Sequence, residues 1–151
     1  EISLGLVGSE MCIRDRDYVQ GKQSFIRSVL RRALSDMLLG KTVDIRIDRP
    51  LGSHHPKHTD MIYPVNYGYV PHIFSADGEE VDVYLLGVCQ PVEKYKGRVI
   101  AVIRRLDDVE DKWIAAPTGV TFTPDGIEKA VNFQEQYFQH KIEMLDPNGD
   151  K

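Results

Sequence analysis

Cysteine is scarce. Cys12 and Cys89 are the only two in 151 residues, too few to staple a small fold by a disulfide framework. Cys89 falls in an apolar segment and is expected to behave as a small buried hydrophobe, which fits a reducing cytoplasm. Long apolar runs are missing too: none approaches the roughly 18 residues that would suggest a transmembrane helix. Positive charge is not in excess, since 19 Lys and Arg stand against 23 Asp and Glu for a formal net charge of −4. That balance, with both signs interspersed, provides no overall basic field for nucleic acid. There is no internal repeat, low-complexity tract or linker between two cores, so residues 17–151 read as one domain with room for a sizeable core. Residues 1–16, EISLGLVGSEMCIRDR, differ from the rest and resemble a translated sequencing-adapter string. They are expected to be non-native and carry no argument.

The densest chemistry lies in Tyr63 to Tyr84, YPVNYGYVPHIFSADGEEVDVY. Tyr63, Tyr67 and Tyr69 form an aromatic run broken by Pro64, Asn66 and Gly68. Ser75-Ala76-Asp77-Gly78 supplies turn chemistry. Val81, Val83 and Leu85 then alternate with Asp82 and Tyr84, the period of a half-buried strand that is expected to continue through Val88. Asp77, Glu79, Glu80 and Asp82 crowd the mouth of that strand. Clustered carboxylates repel one another unless a cation sits between them.

Other elements follow from periodicity. Residues 23–39 carry Phe25, Ile26, Val29, Leu30, Ala33, Leu34, Met37 and Leu38 at helical spacing, with Arg27, Arg31 and Arg32 on what reads as a solvated face or a phosphate or membrane surface. Lys41–Asp48 alternates as a strand. The following loop bears Arg49, His54, His55, Lys57 and His58. Its histidine spacing lacks the paired geometry of zinc loops and suits an anion-binding or plain surface loop at least as well. Gly97–Leu106 reads as a buried strand and Trp113–Ala116 as another. Between them stand Asp107, Asp108, Glu110 and Asp111, followed by Lys112. Thr123 and Pro124 open a helix reaching about Phe138, and the chain past Met144 reads as a frayed end. Strands without intervening helices favour a small curled or closed sheet, flanked by an N-terminal and a C-terminal helix.

The two acidic clusters lie about 30 residues apart, each beside a strand. If those strands are neighbours, the carboxylates converge into a hard oxygen site suited to Mg²⁺. Arg49, Lys57 and Lys112 would complement it with positive charge for a phosphate-bearing anion. Solvated turns are the plain alternative.

YPVNYGY, then DGEEVDVY, then an acidic turn ending in Lys resembles the soluble family I inorganic pyrophosphatases over about residues 42–138. The abbreviated IDRPLGS segment is similar to a short bacterial subgroup. The resemblance implies a mainly β (α+β) fold, a closed five-stranded OB-like barrel with two helices. It also implies hydrolysis of pyrophosphate with Mg²⁺, or with Mn²⁺ or Co²⁺. By position it implies metal ligands at Asp77, Asp82 and Asp107 or Asp111, and Glu79 acting on the attacking water. Arg49, Lys57, Tyr67, Lys112 and Tyr137 would contact the phosphates, with Tyr67 and Lys112 also serving catalysis. Pyrophosphate is the expected partner, without nucleic acid or membrane; a homo-oligomer stays open. Two departures stand out: Glu79 where the signature has Asp, and Phe138 where a lysine usually follows the helix tyrosine. They motivate the alternative of a weak or inactive barrel that binds phosphate, nucleotide or a protein. An OB-like barrel using the tyrosines to stack single strands is a further alternative, opposed by the adjacent acidic charge.

Overall fold

A computed structural model describes residues 25–75, 78–106 and 111–145. Six strands appear in it: β1 (Thr42–Arg49), β2 (Asn66–Phe74), β3 (Glu80–Leu85), β4 (Lys94–Arg105), β5 (Asp111–Ala116) and β6 (His140–Met144). Two helices accompany them, α1 (residues 25–38) and α2 (Pro124–Glu135).

The sheet runs β1-β2-β3-β5-β4-β6, and β1 also pairs with β4. Five strands therefore close on themselves, and β6 extends the sheet from the far half of β4. Closure depends on the length of β4: Lys94 to Arg98 pair with β1, whereas Ala101 to Arg105 pair with β6. All neighbours are antiparallel except β3 and β5. This is the expected barrel, and closing it removes the aggregation-prone edges of a small open sheet.

Period-2 alternation divides the side chains into two cores. Ile45, Val81, Val83, Leu85, Val102 and Trp113 belong to one cluster, which Leu38 of α1 joins. Tyr84, Ile103, Ile114 and Ala116, on the opposite face of the same strands, meet Ile127 and Val131 of α2. Each fully buried aliphatic side chain contributes about 1.5–3 kcal/mol. α2 starts where expected: Thr123 Oγ1 accepts the Gly126 backbone N–H at 3.0 Å and Pro124 occupies the first turn.

Several details depart from the sequence-based expectation. The third strand stops at Leu85 instead of running through Val88. Gly87 takes φ +84°, a left-handed conformation that turns the chain out of the sheet. Cys89 consequently lies exposed, not buried. Residues 140–144, expected to lie between a helix and a frayed end, form β6. α1 buries less of its apolar face than its pattern suggests: Leu34 and Leu38 reach the core, while Phe25, Ile26, Val29, Leu30 and Met37 are each at least 45% exposed. No helix among the described residues is long and apolar enough to cross a membrane.

Candidate active site

Strand register assembles the site. Arg49 on β1 is opposite Tyr67 on β2, Tyr67 is opposite Tyr84 on β3, and Asp82 on β3 is opposite Lys112 on β5. Directly paired residues point to the same face of a sheet. Arg49, Tyr67, Asp82 and Lys112, on four different strands, thus come to share one patch, with Tyr84 beside them.

The NYGY segment makes the register possible. Asn66, fully buried, accepts the backbone N–H of Leu51 at 2.9 Å and donates to the Gln90 carbonyl at 3.0 Å, tying two loops to the start of β2. Gly68 lies against β1 so closely that a Cβ there would fall 1.8 Å from the Arg46 carbonyl oxygen. Between them, Tyr67 points its hydroxyl at Lys112.

Lys112 Nζ donates to the Tyr67 hydroxyl at 3.0 Å and to Asp82 Oδ2 at 2.6 Å. Its side chain is almost wholly buried, whereas Asp82 keeps 28% exposure. The ammonium is held by partners that leave the carboxylate open on one side. Tyr67 has its acidity suppressed, chiefly by burial and further by Asp82, with Lys112 opposing. The phenol therefore stays protonated, and because its oxygen accepts from Lys112 its proton is available to another acceptor. Arg49 Nη1 donates to the Tyr63 hydroxyl at 2.8 Å, and its guanidinium carbon lies 5.7 Å from both the Tyr63 and Tyr67 ring centres. Those rings, with Tyr84 and Phe133, form a continuous aromatic wall.

Arg49, Tyr67, Asp82 and Lys112 are thus brought together as expected from the sequence. Other candidates are placed elsewhere. Asp111 belongs to the opposite face of β5, because it alternates with Lys112. There it pairs with Arg31 of α1 and, at 3.0 Å, with Arg104 of β4, and it is 7% exposed. It serves as an anchor for α1 and does not join Asp82. Lys57 is exposed on its loop, and its backbone N–H donates to His55 Nδ1. Tyr137, 68% exposed, lines a cleft with His55 and His58. Glu79 is exposed at the start of β3, its carbonyl accepting from the Ser75 backbone N–H and hydroxyl. Asp77 and Asp107 lie outside the described residues. Among the described residues no three His, Cys, Asp or Glu side chains converge as a metal-binding group.

Two features had no marker in the sequence. Asp48 is the extra residue of a bulge, since Ile47 and Arg49 are opposite the consecutive Gly68 and Tyr67. Crowding raises its carboxyl above the ordinary value, first by desolvation and then by Asp82, against the pull of Arg49 and Lys112. Beneath the aromatic wall, Glu135 of α2 is fully buried. It accepts from Arg105 Nε at 3.1 Å and Nη2 at 2.7 Å, and from the Tyr84 hydroxyl at 2.7 Å. The Phe138 ring covers the Arg105 guanidinium, 3.7 Å from carbon to ring centre. Phe138 therefore seals a buried ion pair at the position where a phosphate-binding lysine was expected.

This arrangement can fix an anion: one buried ammonium, one guanidinium and one phenolic donor beside a partly open carboxylate. The family model for inorganic pyrophosphatase matches residues 40–143. Among individual proteins, an inorganic pyrophosphatase of Caulobacter vibrioides is 29% identical over 116 residues, covering 67% of this chain and 66% of that protein. One from Rickettsia conorii is 39% identical over 97 residues, 61% of this chain and 56% of that protein. The chain thus spans about two thirds or less of these relatives' length. The crystal structure of inorganic pyrophosphatase from Ehrlichia chaffeensis shares the fold, with a TM-score of 0.56 at 19% identity over 71% of this chain and 88% of that one. The matched span runs from just before β1 into β6 and so contains the whole barrel and the patch on it: this chain belongs to the inorganic pyrophosphatase family.

Proposed function

We propose that this protein hydrolyses inorganic pyrophosphate to two phosphates in a Mg²⁺-dependent reaction in the cytoplasm. The observation that carries the proposal is the buried Lys112 ammonium clamped between Asp82 and Tyr67, across from Arg49. A phosphoanhydride needs such a cluster because negative charge spreads over its non-bridging oxygens as the bridge breaks. Lys112 presents fixed positive charge without reorganisation. Arg49 offers a planar fork of donors suited to two phosphate oxygens. Tyr67, kept protonated by burial, donates a neutral hydrogen bond.

Asp82 is a hard oxygen donor of the kind Mg²⁺ prefers, and its partial exposure leaves it accessible. The ion would be held by Asp82 together with Asp77 and Asp107, and that set excludes Asp111, which its two arginines occupy. Bound there, Mg²⁺ would neutralise phosphate charge and acidify a water. Glu79 is proposed to orient or deprotonate that water. Tyr137 and Lys57 are proposed as outer phosphate contacts.

The test is phosphate release from pyrophosphate, with Mg²⁺ present and then chelated. Release that stops on chelation is the expected result. No release with Mg²⁺, Mn²⁺ or Co²⁺ from a folded sample refutes the proposal.

A further inference from the structure

Closure leaves one gap in the barrel wall, between the first half of β1 and the second half of β2. The β1–β2 ladder ends where Arg46 is opposite Tyr69, whereas β1 stays paired with β4 back to Thr42. The sequence stops the ladder there. The Lys41 carbonyl accepts the Val99 N–H and the Ile47 N–H donates to the Glu93 carbonyl, each at 2.9 Å. Backbone groups alternate in direction along a strand, so odd-numbered residues of β1 face β4 and even-numbered ones face β2. In register, the next even residue, Asp44, would meet Pro71, which has no N–H to donate.

β2 leaves its course at the same point. Its register with β3 jumps from Tyr69 opposite Asp82 to Phe74 opposite Glu80, so residues 70–73 bulge against Val81 alone. His72 within the bulge takes φ +68°, a left-handed conformation rare outside glycine, and its backbone N–H donates to the Glu80 carboxylate at 3.0 Å. Thr42 to Ile45 therefore present a strand edge with no ladder partner on this side among the described residues. That edge borders a cleft of about 900 Å³. Inside it, Ile45 and Val70 belong to the core and Val43 and Ile73 are partly buried. Its outer rim is cationic. Arg46 and Lys94 are directly opposite each other on β1 and β4, a like-charge pairing that destabilises a sheet unless an anion joins it. Lys96 adds a third cation, and Asp44, 3.9 Å from it, is the one carboxylate in the lining.

We propose that this gap takes an extended peptide segment of a partner protein, added as a strand to the free edge of β1. Main-chain hydrogen bonds to Thr42 and Asp44 hold it, as in other cases of strand addition. Alternation assigns its side chains: apolar, β-branched residues inward on Val43 and Ile45, acidic residues outward on Arg46, Lys94 and Lys96.

The probe is an end-blocked, fluorescently labelled hexapeptide, Glu-Val-Glu-Val-Glu-Val, titrated with the full chain and followed by anisotropy. It should bind saturably, at least ~10-fold more tightly than Lys-Val-Lys-Val-Lys-Val. Asp44→Asn, which removes only the opposing charge, should hold the acidic peptide at least as tightly as wild type. Asp44→Pro, which also removes an N–H of the free edge while leaving the β1–β4 bonds, should hold it at least ~10-fold less tightly. Lys94→Glu combined with Lys96→Glu should reverse the preference between the two peptides, and it decides the matter if Asp44→Pro does not fold. Pyrophosphate hydrolysis should be unchanged in these variants, since the gap and the Lys112 patch are separate. No saturable binding up to about 1 mM peptide, equal affinity for the lysine peptide, or equal binding by Asp44→Asn and Asp44→Pro overturns the inference.

Discussion

Replacing Glu135 with leucine should unsettle the whole protein, although the side chain touches no part of the phosphate-binding patch directly. Glu135 is 0% exposed and Arg105 4%, so the variant would remove a buried carboxylate that accepts from two nitrogens of the Arg105 guanidinium. Breaking a buried pair from one side costs about 3–5 kcal/mol. The Tyr84 hydroxyl loses its acceptor at the same time, for another ~1–3 kcal/mol. The two costs share one cavity and do not add fully, so about 4–6 kcal/mol is expected, against ~5–15 kcal/mol for a typical domain. Urea denaturation followed by Trp113 fluorescence measures it. Arg105→Met combined with Glu135→Leu replaces both members of the pair by apolar side chains, and the double variant should be more stable than Glu135→Leu alone. Adding Tyr84→Phe should recover further stability. A Glu135→Leu protein within about 1 kcal/mol of wild type, or a double variant less stable than the single, would refute this account of the pair. If Glu135→Leu does not fold at all, the double and triple variants still rank the terms.

Four further outcomes follow from the same geometry. Phe138→Lys, which restores the residue usual after the helix tyrosine, should lower stability by about 1–2 kcal/mol and leave phosphate release no faster, because an ammonium replaces a ring stacked on Arg105. Asp111→Asn should reduce stability by roughly 3 kcal/mol through Arg31 and Arg104 while leaving the Mg²⁺ dependence of activity where it was; a shifted Mg²⁺ requirement would return Asp111 to the metal site. Asp82→Asn should abolish metal-dependent turnover in a protein that stays folded, and turnover like that of wild type would contradict the site. His140 accounts for a pH effect. Burial would lower its pKa, but its bonds to the Phe138 carbonyl and to Glu128 outweigh that and raise it. A raised folded value means the pair stabilises fully below the unfolded value of about 6.5 and fades as pH climbs through the folded one. Denaturation midpoints should therefore fall as pH rises above about 6.5, and His140→Gln should flatten that slope.

Tyr67, Asp82 and Lys112 could be picked out before any strand was paired, because YPVNYGY, DGEEVDVY and the acidic turn ending in Lys resemble the pyrophosphatase motifs, whereas composition marks only the segments that hold them. Asp111 could not be told from its neighbours, since four carboxylates in five positions look alike until the strand alternates beneath them. The Glu135–Arg105 pair was invisible for another reason. Its members are 30 residues apart on elements with no local signal linking them, and a glutamate on a helix reads as solvated. Phe138 had the opposite history: the sequence showed a missing lysine, and the structure shows what the phenylalanine covers.

By itself the sequence determined local structure: apolar alternation that makes strands, the Thr123-Pro124 start of α2, and turns at glycine. Those choices depend on propensities and on which face can be buried, both properties of neighbours along the chain. The tertiary structure alone decided which charges meet. Barrel closure through β4, the parallel pairing of β3 with β5 and the bulge at Asp48 set the register, and the register places Lys112 opposite Asp82 while turning Asp111 away. An electrostatic site is a matter of distances between elements, and those distances do not exist until the strands have closed.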